Sequence, residues 1–143
     1  MIDQKDIVED VVQALHDGQK GFTDLGEHIK DPQVKAYFMK ESQTRAEFAR
    51  ELETAVGLGK DVGGTASGAM HRSWGNLKAS MGGSDHSLLE TAEQGEDAAK
   101  KAYAEALKKT ELQPAVRQIL ERQQSHILSS HNQVKMFRDR KAA

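Results

Sequence analysis

The sequence contains no cysteine, only two prolines and a single tryptophan. The missing thiols exclude a disulfide framework, a thiolate zinc site, an iron–sulfur cluster and a cysteine nucleophile. They agree with a reducing, cytoplasmic compartment. Aromatic residues make up just 5% of the chain, which disfavours a sheet, because strands are rich in aromatic and β-branched residues. No apolar run approaches the ~20 residues needed to cross a bilayer. The opening MIDQKDIVEDVVQ lacks a basic segment followed by an apolar one, so neither a signal peptide nor membrane association is expected. A net charge of −2 offers little attraction for phosphates, and no nucleic-acid partner is expected. The one basic run, KMFRDRK at 135–141, falls at the end of an expected helix, where it complements the helix dipole. There is no nucleophile elbow, no phosphate-binding loop after a strand and no dinucleotide fingerprint. The sequence therefore points away from an enzyme.

What is present is helical periodicity. With 143 residues, a single domain is expected. Val8, Val11, Leu15, Phe22, Leu25 and Ile29 recur in steps of three and four with Gly18 in the gap, predicting a first helix over 3–30. Asp31-Pro32 ends it and opens the next. Val34, Phe38, Phe48, Leu52 and Val56 form the stripe of a second helix over 33–57, closed by Gly57. Ser87-x-x-Glu90 reads as a capping box, and a third helix is expected over 85–109 on Leu88, Ala92, Ala99, Tyr103 and Leu107. Thr110-x-x-Gln113 and Pro114 introduce a fourth over 112–139, carrying Val116, Leu120, Ile127, Val134 and Phe137.

Between the second and third helices lies GGTASGAMHRSWGNLKASMGGS, which carries the only Trp. Met70, Trp74, Leu77 and Met81 recur at four, three and four, so a short fifth helix is expected over 67–81. A connection of about 30 residues is too long to be a structureless loop in a compact domain. It can carry the chain from one end of a bundle to the other. One long crossover joining two antiparallel hairpins is the ferritin-like arrangement. The alternative is an up-down-up-down bundle with Trp74 plugging one end.

The polar residues that break the stripes are Glu41 and Arg45 in the second helix, Glu96 in the third and Gln123 in the fourth, with His126 one step aside. Each falls near the middle of its helix, so they are expected to meet in one layer of the core. Buried charges are costly unless paired. An Arg45–Glu96 or Arg45–Glu41 ion pair, extended by Gln123, is the expected network. Ferritin-like di-metal bundles fill this layer with one Glu from each of two helices and Glu-x-x-His from the other two. Here Glu41, Glu96 and His126 match that template, whereas the first helix offers Gly18 and Gln19, and Arg45 cannot ligate a cation.

QTRAEFARELE from Gln43, MHRSWGNLK from Met70, EQGEDAAKKAYAEAL from Glu93 and HNQVKMFRD from His131 resemble a bacterial family of ferritin-like four-helix-bundle proteins of unknown function. The positions that best match its pattern are Gln43, Arg45, Glu96, Tyr103, Gln123 and His131. The resemblance implies an all-α, ferritin-like four-helix bundle with a crossover, and a link to stress responses.

The expectation is a non-enzymatic interaction protein, cytoplasmic and homodimeric or bound to another helical protein, with no cofactor. Its buried network would be Glu41, Arg45, Glu96 and Gln123. Two other readings stand beside it. One is an iron, manganese or zinc site on Glu41, Glu96, Gln123 and His126. The other is a helical adaptor that docks through Met70, Trp74, Leu77 and Met81.

Overall fold

A computed structural model describes residues 3–58, Trp74 and residues 82–141. Four helices span them: α1 (Gln4–Gly26), α2 (Pro32–Val56), α3 (Asp85–Leu107) and α4 (Pro114–Arg140). The expected fifth helix over 67–81, apart from Trp74, lies outside the described residues. No strand is formed among the described residues.

Local chemistry sets the helix ends. The Asp3 carboxylate accepts from the Lys5 N–H at 3.1 Å and caps α1. Asp31 caps α2 by accepting from the Gln33 N–H at 2.9 Å, and Pro32 takes the first helical position, where no N–H is needed. Gly57 closes α2 with φ 72°, a left-handed conformation that favours glycine. Ser84 rather than Ser87 caps α3, accepting from the Ser87 N–H at 3.2 Å.

The expected first helix runs to Lys30, but α1 stops at Gly26. Residues 27–31 form a turn that still buries Ile29 at 3% exposure. The reason sits on another helix. Asp85, in the first turn of α3, accepts from the N–H groups of Lys30 at 2.8 Å and Asp31 at 2.9 Å. Those backbone donors are satisfied from α3 and do not need a further helical turn.

The same bonds fix direction. Asp85 places the start of α3 at the end of α1, so these helices are antiparallel. The Gln113 N–H donates to the Gln4 side chain at 3.1 Å, so α4 starts where α1 starts and runs parallel to it. Lys141 pairs with Asp31 at 2.7 Å, joining the end of α4 to the start of α2. Hence α2 and α3 run parallel, and the end of α2 and the start of α3 lie at opposite ends of the bundle. Each helix packs on two antiparallel neighbours: α1 on α2 and α3, α4 on α3 and α2. This is the one-crossover connectivity of ferritin-like bundles, and the up-down-up-down alternative is excluded.

The apolar core divides into two clusters. One gathers Val8, Val11, Leu15, Leu52, Tyr103 and Leu120 near the start of α1. The other gathers Phe22, Leu25, Phe38, Trp74, Leu88 and Val134 near its end. The boundary crosses α1 at Gly18, α2 at Glu41–Arg45, α3 at Glu96 and α4 at Ser130, all of them buried.

Candidate functional site

Arg45 occupies the centre of that boundary and is fully buried, with 0% exposure. Its Nε donates to Glu41 Oε1 at 2.9 Å, across one turn of α2. Its Nη2 donates to Glu96 Oε1 on α3 and to Ser130 Oγ on α4, the latter at 3.3 Å. Ser130 Oγ in turn donates to Glu96 Oε2 at 2.6 Å. Three helices are thereby joined through one guanidinium. The fourth, α1, contributes space. A Cβ on Gly18 would lie 3.2 Å from Arg45 Nη1, so any larger residue there would crowd the guanidinium. The Phe22 ring covers it, with Arg45 Cζ 5.0 Å from the ring centroid, a cation–π contact. Nη1 is buried and finds no hydrogen-bond partner among the described residues.

Two carboxylates surround this single guanidinium, and His126 gives one of them a second partner. His126 Nε2 lies 2.8 and 3.0 Å from the two oxygens of Glu41. An ionised carboxylate only accepts, so Nε2 is the donor. His126 is itself 38% exposed and packs edge-on against Phe48 with ring centroids 5.3 Å apart. Through His126 the site reaches solvent on the α2–α4 side.

The electrostatics follow from burial and pairing. Burial works to raise the Glu41 carboxyl, but the His126 hydrogen bond and the Arg45 charge outweigh it and hold Glu41 below the ordinary carboxylate value. Burial works to lower the Arg45 guanidinium, and the charges of Glu96 and Glu41 more than reverse that. Tyr37, half-buried at the edge of the layer, has its phenol pushed up to about 12, mostly by burial. Pairing thus outweighs burial for both Glu41 and Arg45.

The structure brings Glu41, Arg45 and Glu96 together, with His126 on Glu41. It does not bring Gln123 to them. Gln123 lies about two turns before Ser130 along α4, beside the apolar cluster near the start of α1, with its own partners. Tyr103 donates to its Oε1 at 2.8 Å. Its Nε2 donates to Glu51 Oε1 at 2.9 Å and to the Phe48 carbonyl at 3.3 Å. Gln123 thus forms a second polar layer, in which burial pushes the Tyr103 phenol up. The member that sequence reasoning missed is Ser130. It continues the α4 stripe seven residues after Gln123, so spacing marks it as core-facing, but the register of α4 against the other helices is what sets it in this layer.

Trp74, the one described residue of the expected interaction segment, is 1% exposed. Met70, Leu77 and Met81 lie outside the described residues. The Trp74 indole occupies a slot between α1 and α3 that exists because two glycines face it. A Cβ on Gly21 would fall 2.5 Å from the indole and one on Gly95 only 2.1 Å away. The ring also meets Phe22 edge-on at 5.1 Å. Trp74, Phe22 and Arg45 thus form a continuous stack from the crossover to the buried charges.

Among the described residues, no three His, Cys, Asp or Glu side chains are grouped so as to hold a metal ion. No helix among the described residues is long and apolar enough to cross a membrane. No curated protein matches the chain. A family model does match residues 3–109, the span that carries α1, α2 and α3 with Glu41, Arg45, Glu96 and Trp74. The chain belongs to that family, which is described as Domain of unknown function (DUF2383).

Proposed function

We propose that this chain is a non-enzymatic, ferritin-like bundle acting as a self-associating interaction protein, in which a buried arginine replaces the metal centre of its layer. The observation that carries the reading is Arg45. It is fully buried and hydrogen-bonded to both Glu41 and Glu96, the two carboxylates best placed to ligate a cation. A guanidinium has no lone pair to offer a metal. Beside the one imidazole, His126, which bonds to Glu41, the remaining positions of the layer are Gly18 and Ser130, which do not complete a carboxylate–imidazole shell. The donor set thus fits a di-metal centre poorly, and no reaction is assigned to it. The link to stress responses rests on the family resemblance alone.

The contact between Glu41 and His126 at 2.8 Å, on the side where the layer reaches solvent, favours a second reading, a single-cation protein. Mass spectrometry separates the two. The protein is incubated with iron, manganese and zinc, desalted, and its metal content measured. The expected result is less than stoichiometric metal. One metal per chain, lost in Glu96→Ala, would overturn the proposal in favour of the metal-binding reading.

A further inference from the structure

An open groove of about 640 Å³ runs between the first half of α1 and the second half of α3. Ile7 lines it from α1, and Ala98, Ala102 and Ala106 line it from α3 at steps of four. Asp6 and Asp10 stand on the α1 rim, with Lys101 and Lys109 on the α3 rim. All four are exposed, and none forms an ion pair among the described residues. Glu105, also on the α3 rim, pairs with Lys108 at 3.4 Å.

We propose that α3 of a second copy seats in this groove, giving a dimer whose two-fold axis runs parallel to the bundle. This names the surface for the self-association in the proposed function and rests on that reading. Shape is the first argument. The alanine row carries no long side chains, so two α3 helices can approach closely across the axis. Each then fills the other's groove, the self-complementary contact that two-fold symmetry requires.

Charge is the second argument, and it selects the axis. The pairing of Asp85 with Lys30 and of Gly95 with Gly21 around Trp74 fixes the levels of the antiparallel helices α1 and α3. On that scale Lys109 stands level with Asp6, Glu105, which pairs with Lys108, stands level with Asp10, and Lys101 stands one turn above Asp10. A parallel two-fold keeps these levels. The partner's Lys109 then faces Asp6, and the partner's Lys101 reaches one turn down toward Asp10, where the level Glu105 is already held by its own Lys108; symmetry repeats both contacts. A two-fold perpendicular to the helices would instead set α1 on α1, with Asp6 against the partner's Asp10, and lysine against lysine. Such like-charge contacts disfavour that packing.

The test is sedimentation equilibrium on the full chain. The wild type is expected to be a dimer. Lys101→Glu/Lys109→Glu should weaken it by roughly 100-fold, because four rim pairs turn repulsive. Asp6→Lys/Asp10→Lys should do the same, and mixing the two variants should restore a heterodimer. Circular dichroism checks that both variants fold. The chain has no cysteine, so Ala102→Cys introduces a single thiol, and oxidation should give a disulfide-linked dimer because the parallel axis brings the two copies of that position level. A wild-type dimer that survives both reversals and does not cross-link overturns this surface but leaves self-association standing. A wild-type monomer at ~100 μM overturns both.

Discussion

Replacing Arg45 with leucine tests the central layer most directly. The guanidinium makes hydrogen bonds to Glu41, Glu96 and Ser130. In Arg45→Leu, Glu41 retains His126, a partly exposed partner. Glu96, at 0% exposure, retains only the Ser130 hydroxyl. The cost therefore concentrates on Glu96, a buried charge without a counter-ion, and breaking such a pair costs about 3–5 kcal/mol. Domains commonly have only about 5–15 kcal/mol in total, so the variant should be folded but weak. Urea unfolding, followed by far-UV circular dichroism, should show the midpoint moving down by roughly 2 M. The triple variant Arg45→Leu/Glu41→Met/Glu96→Leu should recover most of the loss, because an apolar replacement for a whole buried charge cluster is often neutral or better. Ser130 would then return its hydroxyl to a backbone carbonyl one turn back. A loss within ~0.5 kcal/mol for the single variant is what a surface substitution gives. It would refute the claim that Arg45 is the counter-ion of a buried carboxylate.

Gly95→Ala puts a methyl group 2.1 Å from the Trp74 indole. Overpacking of about 1–3 kcal/mol should exceed the ~1 kcal/mol that alanine gains in helix propensity, and Trp fluorescence should shift to the red; unchanged emission and unchanged stability would contradict the slot. Acid should also destabilise the protein through Glu41. Its folded carboxyl is held below the ordinary value of 4.5, so the stability it contributes is present above that value and is lost as pH falls through the folded one. Urea midpoints from about pH 7 to pH 3 should fall less steeply in Glu41→Gln than in the wild type; parallel curves would show that Glu41 carries no such linkage. Asp31, held low mainly by its bond to Lys141, acts in the same direction and remains in both proteins.

The fold was legible because apolar spacing is a local signal. Steps of three and four mark every described helix, and the glycine-rich interval was long enough to allow a crossover, with the up-down-up-down alternative left open. What the sequence misplaced depended on contacts between helices. Ile29 sits at a helical spacing from Leu25, yet it lies in a turn, because Asp85, 54 residues from Asp31, satisfies the backbone there. Gln123 interrupts its stripe as Glu96 does, but the register of α4 sets it beside Tyr103 and Glu51. The layer that contains Arg45 instead receives Ser130. The Trp74 slot was also beyond local reading. Gly21 and Gly95 are unremarkable until α1 and α3 lie antiparallel and bring them to one level.

The crossover also decides where the two extremities of the bundle emerge. Because α1 and α4 run parallel, residue 3 and residue 141 stand at opposite ends, separated by about the 40 Å length of the 27-residue helix α4. An up-and-down bundle would return both to one end. Here, proteins fused to the two sides are held apart by a strut braced from within by Arg45. A force applied through them slides α1 and α4 past their neighbours lengthwise, loading many contacts at once rather than peeling them one by one. The same geometry rules out closing the chain into a ring with a short linker.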